Sequence, residues 1–149
     1  MHSNHLAEWQ YWIIQNIHIL SKVYGRNGAI LDAKNWQFIL IPRFFLPRSW
    51  LQSHSRLIIV LPKGPQIFYA PPERFYLDRG LKTTSGEKPT HYFEGSGFND
   101  MSSQNLARFS FHLQKGWNPK LPCTLGTTLI DVLDGLFLGL DAAAKEAMR

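Results

Sequence analysis

The sequence contains a single cysteine, Cys123, among 149 residues. One thiol cannot form an internal disulfide, a C-x-x-C redox pair or a zinc site built from four thiolates. Because proteins of the reducing cytoplasm commonly lack disulfides, we expect a cytoplasmic location. Chemistry that needs a thiolate has only one residue available in this sequence.

The sequence also lacks the short motifs of several common enzyme sites. It has no G-x-x-x-x-G-K-[ST] or G-x-G-x-x-G loop for phosphate, no H-E-x-x-H pair for zinc and no G-x-S-x-G nucleophile elbow. Its six histidines have no cysteine or carboxylate companions at the spacing of metal ligands. We therefore expect neither a metal ion nor a cofactor.

No uninterrupted apolar run occurs near the start of the sequence. Polar residues such as Glu8, Gln15 and Asn16 break the apolar pattern, and no basic stretch precedes it. Signal peptides need a basic stretch followed by an apolar core, and membrane spans need about 20 apolar residues. We therefore expect neither a signal peptide nor a membrane partner.

Acidic residues are fewer than basic ones. Sixteen Lys and Arg against eleven Asp and Glu give a formal net charge of +5. Such an excess attracts acidic partners or nucleic acid. The basic residues are scattered along the chain, so the sequence does not favour nucleic acid as the partner.

Two segments have the spacing of amphipathic helices. Apolar residues recur at three- and four-residue steps from Leu6 to Tyr24, and Gly25 follows them. The same spacing runs from Leu125 to Leu140, where Thr128 and Asp131 can form a capping box. The sequence predicts a helix near each end.

Between these helices the apolar period changes to two, which is typical of strands. Strands are predicted at 36–41, ending before Pro42, at 56–61 and at 73–77, with a strand-like His91-Tyr92-Phe93. The remainder of 78–108 is polar and is predicted to be a long surface loop. The predicted fold is α+β: one domain, residues 1–149, with helices packed on an antiparallel meander of three to four strands.

Ser110 and His112 are the candidate reactive pair. If residues 109–113 are extended, both side chains project to the same side. A serine hydroxyl becomes nucleophilic when a base takes its proton, and a neutral histidine is the usual base. Spacing alone favours a plainer interpretation, in which a small polar residue lies beside a histidine that bonds to the backbone.

Several motifs follow one another in order between Leu31 and Ala144. They are Phe44-Phe45-Leu46-Pro47, Pro62-Lys63-Gly64-Pro65 after an apolar strand, Pro71-Pro72 before Phe75-Tyr76-Leu77, the long loop, Trp117-Asn118-Pro119 and a leucine-rich helix. In order and spacing the sequence resembles the ubiquitin-conjugating (UBC) fold. The resemblance is to its bacterial branch, found in operons for ubiquitin-like modifiers, their activating enzymes and peptidases.

The resemblance implies a transferase that accepts the C-terminus of a modifier from an activating enzyme and passes it to a protein target. Counting back from Trp117, the family's catalytic cysteine falls at residues 109–111, and Ser110 matches it after a one-residue gap. The family's His-Pro-Asn motif is absent. His112 fits the histidine that the bacterial branch often has just after its nucleophile. The resemblance therefore implies an oxyester on Ser110, with His112 as general base.

The resemblance also implies supporting residues and partners. Asn118 or backbone N–H groups would stabilise the oxyanion, and Trp117 would support the loop. The N-terminal helix usually meets the activating enzyme in this family, which makes Trp9, Lys22 and Arg26 interface candidates. Lys22 and Arg26 are equally explained as favourable cations near a helix C-terminus.

Two alternatives stay open at this point. The chain could be a catalytically inactive UBC-fold module that binds the modifier or the activating enzyme without a covalent load. Alternatively, the modifier could be carried as a thioester on Cys123, although this residue follows Trp117, where the family has no nucleophile. Substitution of Ser110, His112 and Cys123 distinguishes the three hypotheses.

Overall fold

The computed structural model describes residues 5–113 and 116–149. The long helices are α1 (Glu8–Tyr24) and α2 (Leu129–Ala147). The strands in the described part are β1 (Ile30–Leu31), β2 (Phe38–Phe45), β3 (His54–Val60), β4 (Arg74–Asp78), β5 (Tyr92–Phe93) and β6 (Leu106–Ser110). They form one antiparallel sheet in the order β1-β2-β3-β4-β6-β5. The predicted α+β arrangement of helix, antiparallel sheet and helix is confirmed, with more strands than expected.

The N-terminal helix ends where the sequence predicts. Gly25 has a φ of +89°, a conformation that glycine adopts without the clash of a Cβ atom. Trp12, Ile13 and Leu20 are buried against the sheet side of the molecule. The three- and four-residue apolar spacing of α1 therefore corresponds to its core-facing stripe.

The C-terminal helix begins at its predicted cap. The backbone N–H of Thr128 donates to the Asp131 carboxylate at 2.8 Å, which is one half of a capping box. Leu129, Leu136 and Leu140 are buried on one side of α2. Within 5–113 and 116–149, no helix is both long enough and apolar enough to cross a membrane.

The two faces of the sheet differ in composition. One cross-strand row contains Ile39, Ile59, Phe75 and Phe109, all of them buried in the main core. The neighbouring row points to the opposite face, called the outer face here, and contains Phe38, Val60, Arg74 and Ser110. Since side chains alternate along a strand, Ser110 lies on the outer face because Phe109 lies in the core.

The prediction that the first long strand ends before Pro42 is wrong. β2 continues to Phe45, and its register with β3 shifts between Ile41 and Phe44. Proline has no N–H to donate to a neighbouring strand, and a bulge removes the need for that donor. Pro42 lies exposed within this irregularity.

The prediction of one long surface loop over residues 78–108 is also wrong in part. The strand-like His91-Tyr92-Phe93 is confirmed by β5, but residues 106–108 of the predicted loop belong to β6, and Leu81 is buried. The hydroxyl of Tyr92 accepts a hydrogen bond from the Leu81 N–H at 3.2 Å. The sequence did not indicate this order because polar residues such as Arg108 occupy outer-face positions of the segment. The guanidinium of Arg108 lies 3.9 Å from the centre of the Phe98 ring.

Candidate functional site

Ser110 is the last residue of β6. Its Cα lies opposite that of Arg74 on β4, and its N–H donates to the carbonyl of His91 at 2.9 Å. The side chain is half-buried on the outer face. The backbone of Ser110 is therefore fixed by the sheet, while its hydroxyl belongs to the partly exposed side.

The alternation of side chains continues beyond the end of β6. Phe111 turns to the helix side, where its ring lies 5.7 Å from that of Phe75 in an edge-to-face contact. His112 is exposed and lines a depression on the outer face. Ser110 and His112 thus belong to one side of the segment, and Phe111 belongs to the other.

The depression lined by His112 is strongly basic, and we call it the cationic pocket. It has a volume of about 490 Å³. Its basic lining residues are Lys63, Arg74, Arg108 and His112, and Glu73 is the acidic group in its described lining. In the chain, Ser110 stands between Arg108 and His112, two residues from each. The candidate nucleophile therefore lies at the edge of a concentration of positive charge.

The loop residue Asp100 organises one side of this basic cluster. The hydroxyl of Tyr76 donates to the Asp100 carboxylate, and Arg74 Nη1 lies 3.2 Å from the same group. The hydrogen bond from Tyr76 lowers the pKa of Asp100, with smaller contributions in the same direction from Arg74 and Arg108, while burial opposes them. Arg74 is therefore held in place by an ionised partner.

A second depression lies on the helix side of the same segment, and we call it the apolar cleft. It has a volume of about 810 Å³ and is lined by Phe111 and Leu113 together with residues of α2. A Cβ atom on Gly139 would lie 2.9 Å from the Phe111 ring, so the missing side chain lets the ring approach the helix. Asp131 and Asp134 give this cleft an acidic border.

The predicted supporting residues lie away from the cationic pocket. Asn118 lines the apolar cleft; its N–H donates to Thr127 Oγ1 at 3.0 Å, and its carbonyl accepts from the Thr127 N–H at 3.0 Å. Trp117 donates from Nε1 to the Ile67 carbonyl at 2.7 Å, and its ring lies 5.7 Å from that of Trp12. The structure therefore places Asn118 and His112 in different depressions, and the oxyanion role of Asn118 stays a prediction.

Cys123 is buried in a short 3-10 turn at 123–125. Its backbone N–H donates to Gln15 Oε1 at 2.7 Å, which ties this turn to α1. Burial raises the pKa of the Cys123 thiol, and a backbone hydrogen bond offsets this only in part. Since the thiolate is the reactive form, these surroundings favour an inert cysteine over a nucleophile.

The interface candidates lie on or just after α1. Trp9 is half-buried, with its ring 6.0 Å from that of Trp36 in an edge-to-face contact. Lys22 is exposed in the last turn of α1, and Arg26 is exposed just beyond it. Their predicted contact with an activating enzyme stays a prediction.

The sequence interpretation missed Arg74, Arg108 and Lys63 as site residues. They appeared as isolated basic positions, and only strand pairing and the 61–73 connection bring them together. One signal was available, since both arginines occupy alternate positions that face away from buried neighbours in their strands. Among the described residues, no three His, Cys, Asp or Glu side chains are grouped as a metal site requires.

Comparison of this chain with protein-family models, with curated proteins and with solved structures found no match.

Proposed function

We propose that this chain is a conjugating enzyme of a bacterial ubiquitin-like pathway, carrying the C-terminus of its modifier as an oxyester on Ser110. The observation that carries the proposal is the position of Ser110. It ends β6, an interior strand of the sheet, on the partly exposed face, and the residues two positions before and after it line the cationic pocket. A nucleophile on a rigid strand end beside positive charge suits the transfer of an acyl group through an anionic intermediate.

The fold supports the same proposal. An N-terminal helix, an antiparallel sheet and a C-terminal helix follow one another in the order of the UBC layout. The ring of Trp117 packs against that of Trp12, which holds residue 117 close to α1. Because fold alone does not establish function, the proposal depends on the chemistry at Ser110.

In the proposed reaction, Ser110 Oγ attacks the thioester carbonyl that joins the modifier to its activating enzyme. His112 takes the hydroxyl proton, the new C–O bond forms, and the C–S bond breaks to release the thiolate of the activating enzyme. Arg74 and Arg108 provide positive potential for the oxyanion of the tetrahedral intermediate. A nucleophile on the target then displaces Ser110 Oγ, which regains a proton.

The test is reconstitution with a ubiquitin-like modifier and its activating enzyme from the organism that encodes this chain. With ATP, we expect a covalent adduct that survives a thiol reductant and is cleaved by hydroxylamine. Ser110→Ala should abolish the adduct, and His112→Ala should slow its formation by roughly 10²-fold or more, as for loss of a general base. Full adduct formation by Ser110→Ala would show that the nucleophile is elsewhere.

Three matched variants sharpen this test. Ser110→Cys should still form an adduct, but one that a thiol reductant cleaves, since the ester becomes a thioester. Ser103→Ala removes an exposed hydroxyl from the loop before β6 and should leave adduct formation unchanged. Cys123→Ala should also leave it unchanged, whereas loss of the adduct in this variant would favour the thioester alternative.

One observation favours the inactive binding module as a second candidate. Asn118, the predicted oxyanion residue, lines the apolar cleft and is absent from the lining of the cationic pocket. A binding module predicts that the wild-type protein and Ser110→Ala bind the modifier equally well and that neither forms an adduct. The same reconstitution therefore distinguishes the two functions.

A further inference from the structure

One N–H group of the Arg108 guanidinium lacks a hydrogen-bond partner among the described residues. Its Nη1 donates to the Phe98 carbonyl at 3.3 Å, and its Cζ lies 3.9 Å from the centre of the Phe98 ring. Its Nε is buried and has no hydrogen-bond partner within the described ranges. A buried donor on a charged group without an acceptor is costly, and native proteins seldom leave one unpaired.

Arg74, another cation of the outer face, has a carboxylate partner. Arg74 Nη1 is paired with Asp100 at 3.2 Å, and Asp100 also accepts from Tyr76. These contacts engage the Asp100 carboxylate with two other side chains. Arg108 therefore differs from Arg74 in having a buried N–H that no carboxylate of the described chain reaches.

The charges around Arg108 favour an anion as the ligand of the cationic pocket. Lys63, Arg74 and Arg108 carry three positive charges in the pocket lining, against one negative charge on Glu73. Asp100, outside this lining, offsets part of the charge of Arg74. Even when Asp100 is included, three cations face two carboxylates, so a positive potential remains.

The volume of the cationic pocket indicates how large a ligand it can accept. Its volume of about 490 Å³ falls in the range of roughly 300–1,000 Å³ that is typical of small-molecule sites. The amide side chains of Gln37 and Gln66 also line it and can donate or accept hydrogen bonds. The pocket therefore fits an anionic group together with part of the molecule that bears it.

We propose that the cationic pocket binds an oxyanion, a carboxylate or phosphate group borne by a larger molecule, with Lys63, Arg74 and Arg108 supplying positive charge. Arginine is suited to this role because its planar donors match the geometry of both groups. Arg74 and Arg108 also take part in the transfer proposed at Ser110, but anion binding by the chain alone does not require that reaction.

The experiment uses the Arg108 side chain as a reporter for the pocket. The Nε–H resonances of the arginines are recorded in nitrogen-edited proton NMR spectra of the full chain, and Arg108→Lys identifies the Arg108 resonance by its disappearance. Titration with inorganic phosphate tests a phosphoryl ligand. Titration with N-acetylglycine tests a peptide carboxylate, with N-acetylglycinamide as its uncharged control.

We expect a saturable shift of the Arg108 Nε–H resonance with one or both anions and none with N-acetylglycinamide. For groups as small as these probes, dissociation constants in about the millimolar range are reasonable. A shift with phosphate alone identifies a phosphoryl ligand, and a shift with N-acetylglycine alone identifies a carboxylate. No saturable shift with either anion up to about 50 mM, well above that range, would overturn the proposal.

Two charge-matched variants separate a specific site from general electrostatic attraction. Lys63→Gln removes an exposed pocket cation and should weaken binding by about three- to tenfold, as expected for one charged contact. Arg43→Gln removes an exposed cation of β2 outside the pocket and should have little effect. Equal weakening by both variants would contradict a built site.

Both substitutions are at exposed positions, so the comparison does not depend on whether Arg108→Lys folds. If Arg108→Lys does unfold, the resonance is assigned through its contact with the Phe98 ring. The titrations use this chain alone, without modifier or activating enzyme. Failure of anion binding therefore leaves the Ser110 adduct test standing, and failure of the adduct leaves the binding result standing.

Discussion

The apolar cleft and the cationic pocket lie on opposite sides of one short extended segment. Phe111 and Leu113 line the first, and His112 lines the second. The two depressions thus share a backbone but differ in chemistry, one being apolar with an acidic border and the other basic. Because side chains alternate at the end of β6, residues that are neighbours in sequence lie in different environments, one apolar and one basic.

The two sides also differ in what holds them together. The helix side depends on close packing, such as that of Phe111 against Gly139, and on a buried hydrogen bond between α1 and α2. The outer side depends on partly exposed polar contacts such as that of Arg74 with Asp100. Buried contacts contribute more to folding stability than exposed ion pairs do. Equivalent perturbations should therefore destabilise the helix side more.

The largest effect is expected at Asn16, which positions the helix that walls the apolar cleft. Asn16 is fully buried; its Nδ2 donates to the Trp12 carbonyl at 2.8 Å, and its Oδ1 accepts from the Leu129 N–H at 2.8 Å. Asn16→Leu leaves both backbone groups without these partners. We expect the free energy of unfolding to fall by about 2–4 kcal/mol, measured by urea denaturation.

The control for this prediction is His18→Leu, which makes the same kind of change at an exposed position of α1. It should change the free energy of unfolding by less than about 0.5 kcal/mol, as for most surface substitutions. Equal effects of the two substitutions would mean that the Asn16 bridge between the helices contributes nothing specific.

A smaller effect is expected at the contact between Phe111 and Gly139. The Cβ atom of Gly139→Val would lie 2.9 Å from the Phe111 ring, so the ring or the helix must shift. We expect a loss of about 1–3 kcal/mol in the free energy of unfolding, as for overpacked interiors. The matched substitution Ala142→Val, at an exposed position of α2, should cost under about 1 kcal/mol through helix propensity alone. The opposite ranking would place Phe111 away from α2.

The parts of this fold that could be predicted from the sequence are those that local patterns determine. The α1 stripe ends at Gly25, and α2 begins at Thr128 and Asp131, because periodicity and caps act over a few neighbouring residues. The continuation of β2 through Pro42 escaped prediction, since the bulge depends on pairing with β3. Local signals therefore predicted the end of α1 and the start of α2, whereas the extent of β2 depends on pairing between strands.

The candidate site illustrates the same limit. Ser110 and His112 could be named from their spacing and from the UBC resemblance, but the basic residues around them could not. The pairing of Arg74 with Ser110 depends on the register of β4 and β6, which lie far apart in the chain. Register is set by which faces are buried across the whole sheet, and so the cationic pocket emerges only from the tertiary structure.

The smallest effect is expected at Asp100, on the outer side. The hydrogen bond from Tyr76 lowers the pKa of Asp100 below its ordinary value of 3.8, and the nearby arginines contribute in the same direction. A lowered folded-state pKa stabilises the protein above the unfolded-state pKa, and this stabilisation is lost as the pH falls through the folded-state value. Since Asp100 is largely exposed, screening limits its contribution to under about 1 kcal/mol.

Asp100→Asn tests this outer-side contact through its pH dependence. At neutral pH the variant should be less stable than the wild type by a few tenths of a kcal/mol. The difference should shrink as the pH falls below 3.8, the ordinary value for Asp, because the wild-type carboxyl then becomes protonated. Urea denaturation of both proteins from neutral pH to below pH 3.8 measures this difference in stability. Glu87→Gln, which removes an exposed carboxylate, is the control. If the difference in stability instead grew on acidification, the pKa of Asp100 would be raised in the folded state. That result would contradict its contacts with Tyr76 and Arg74.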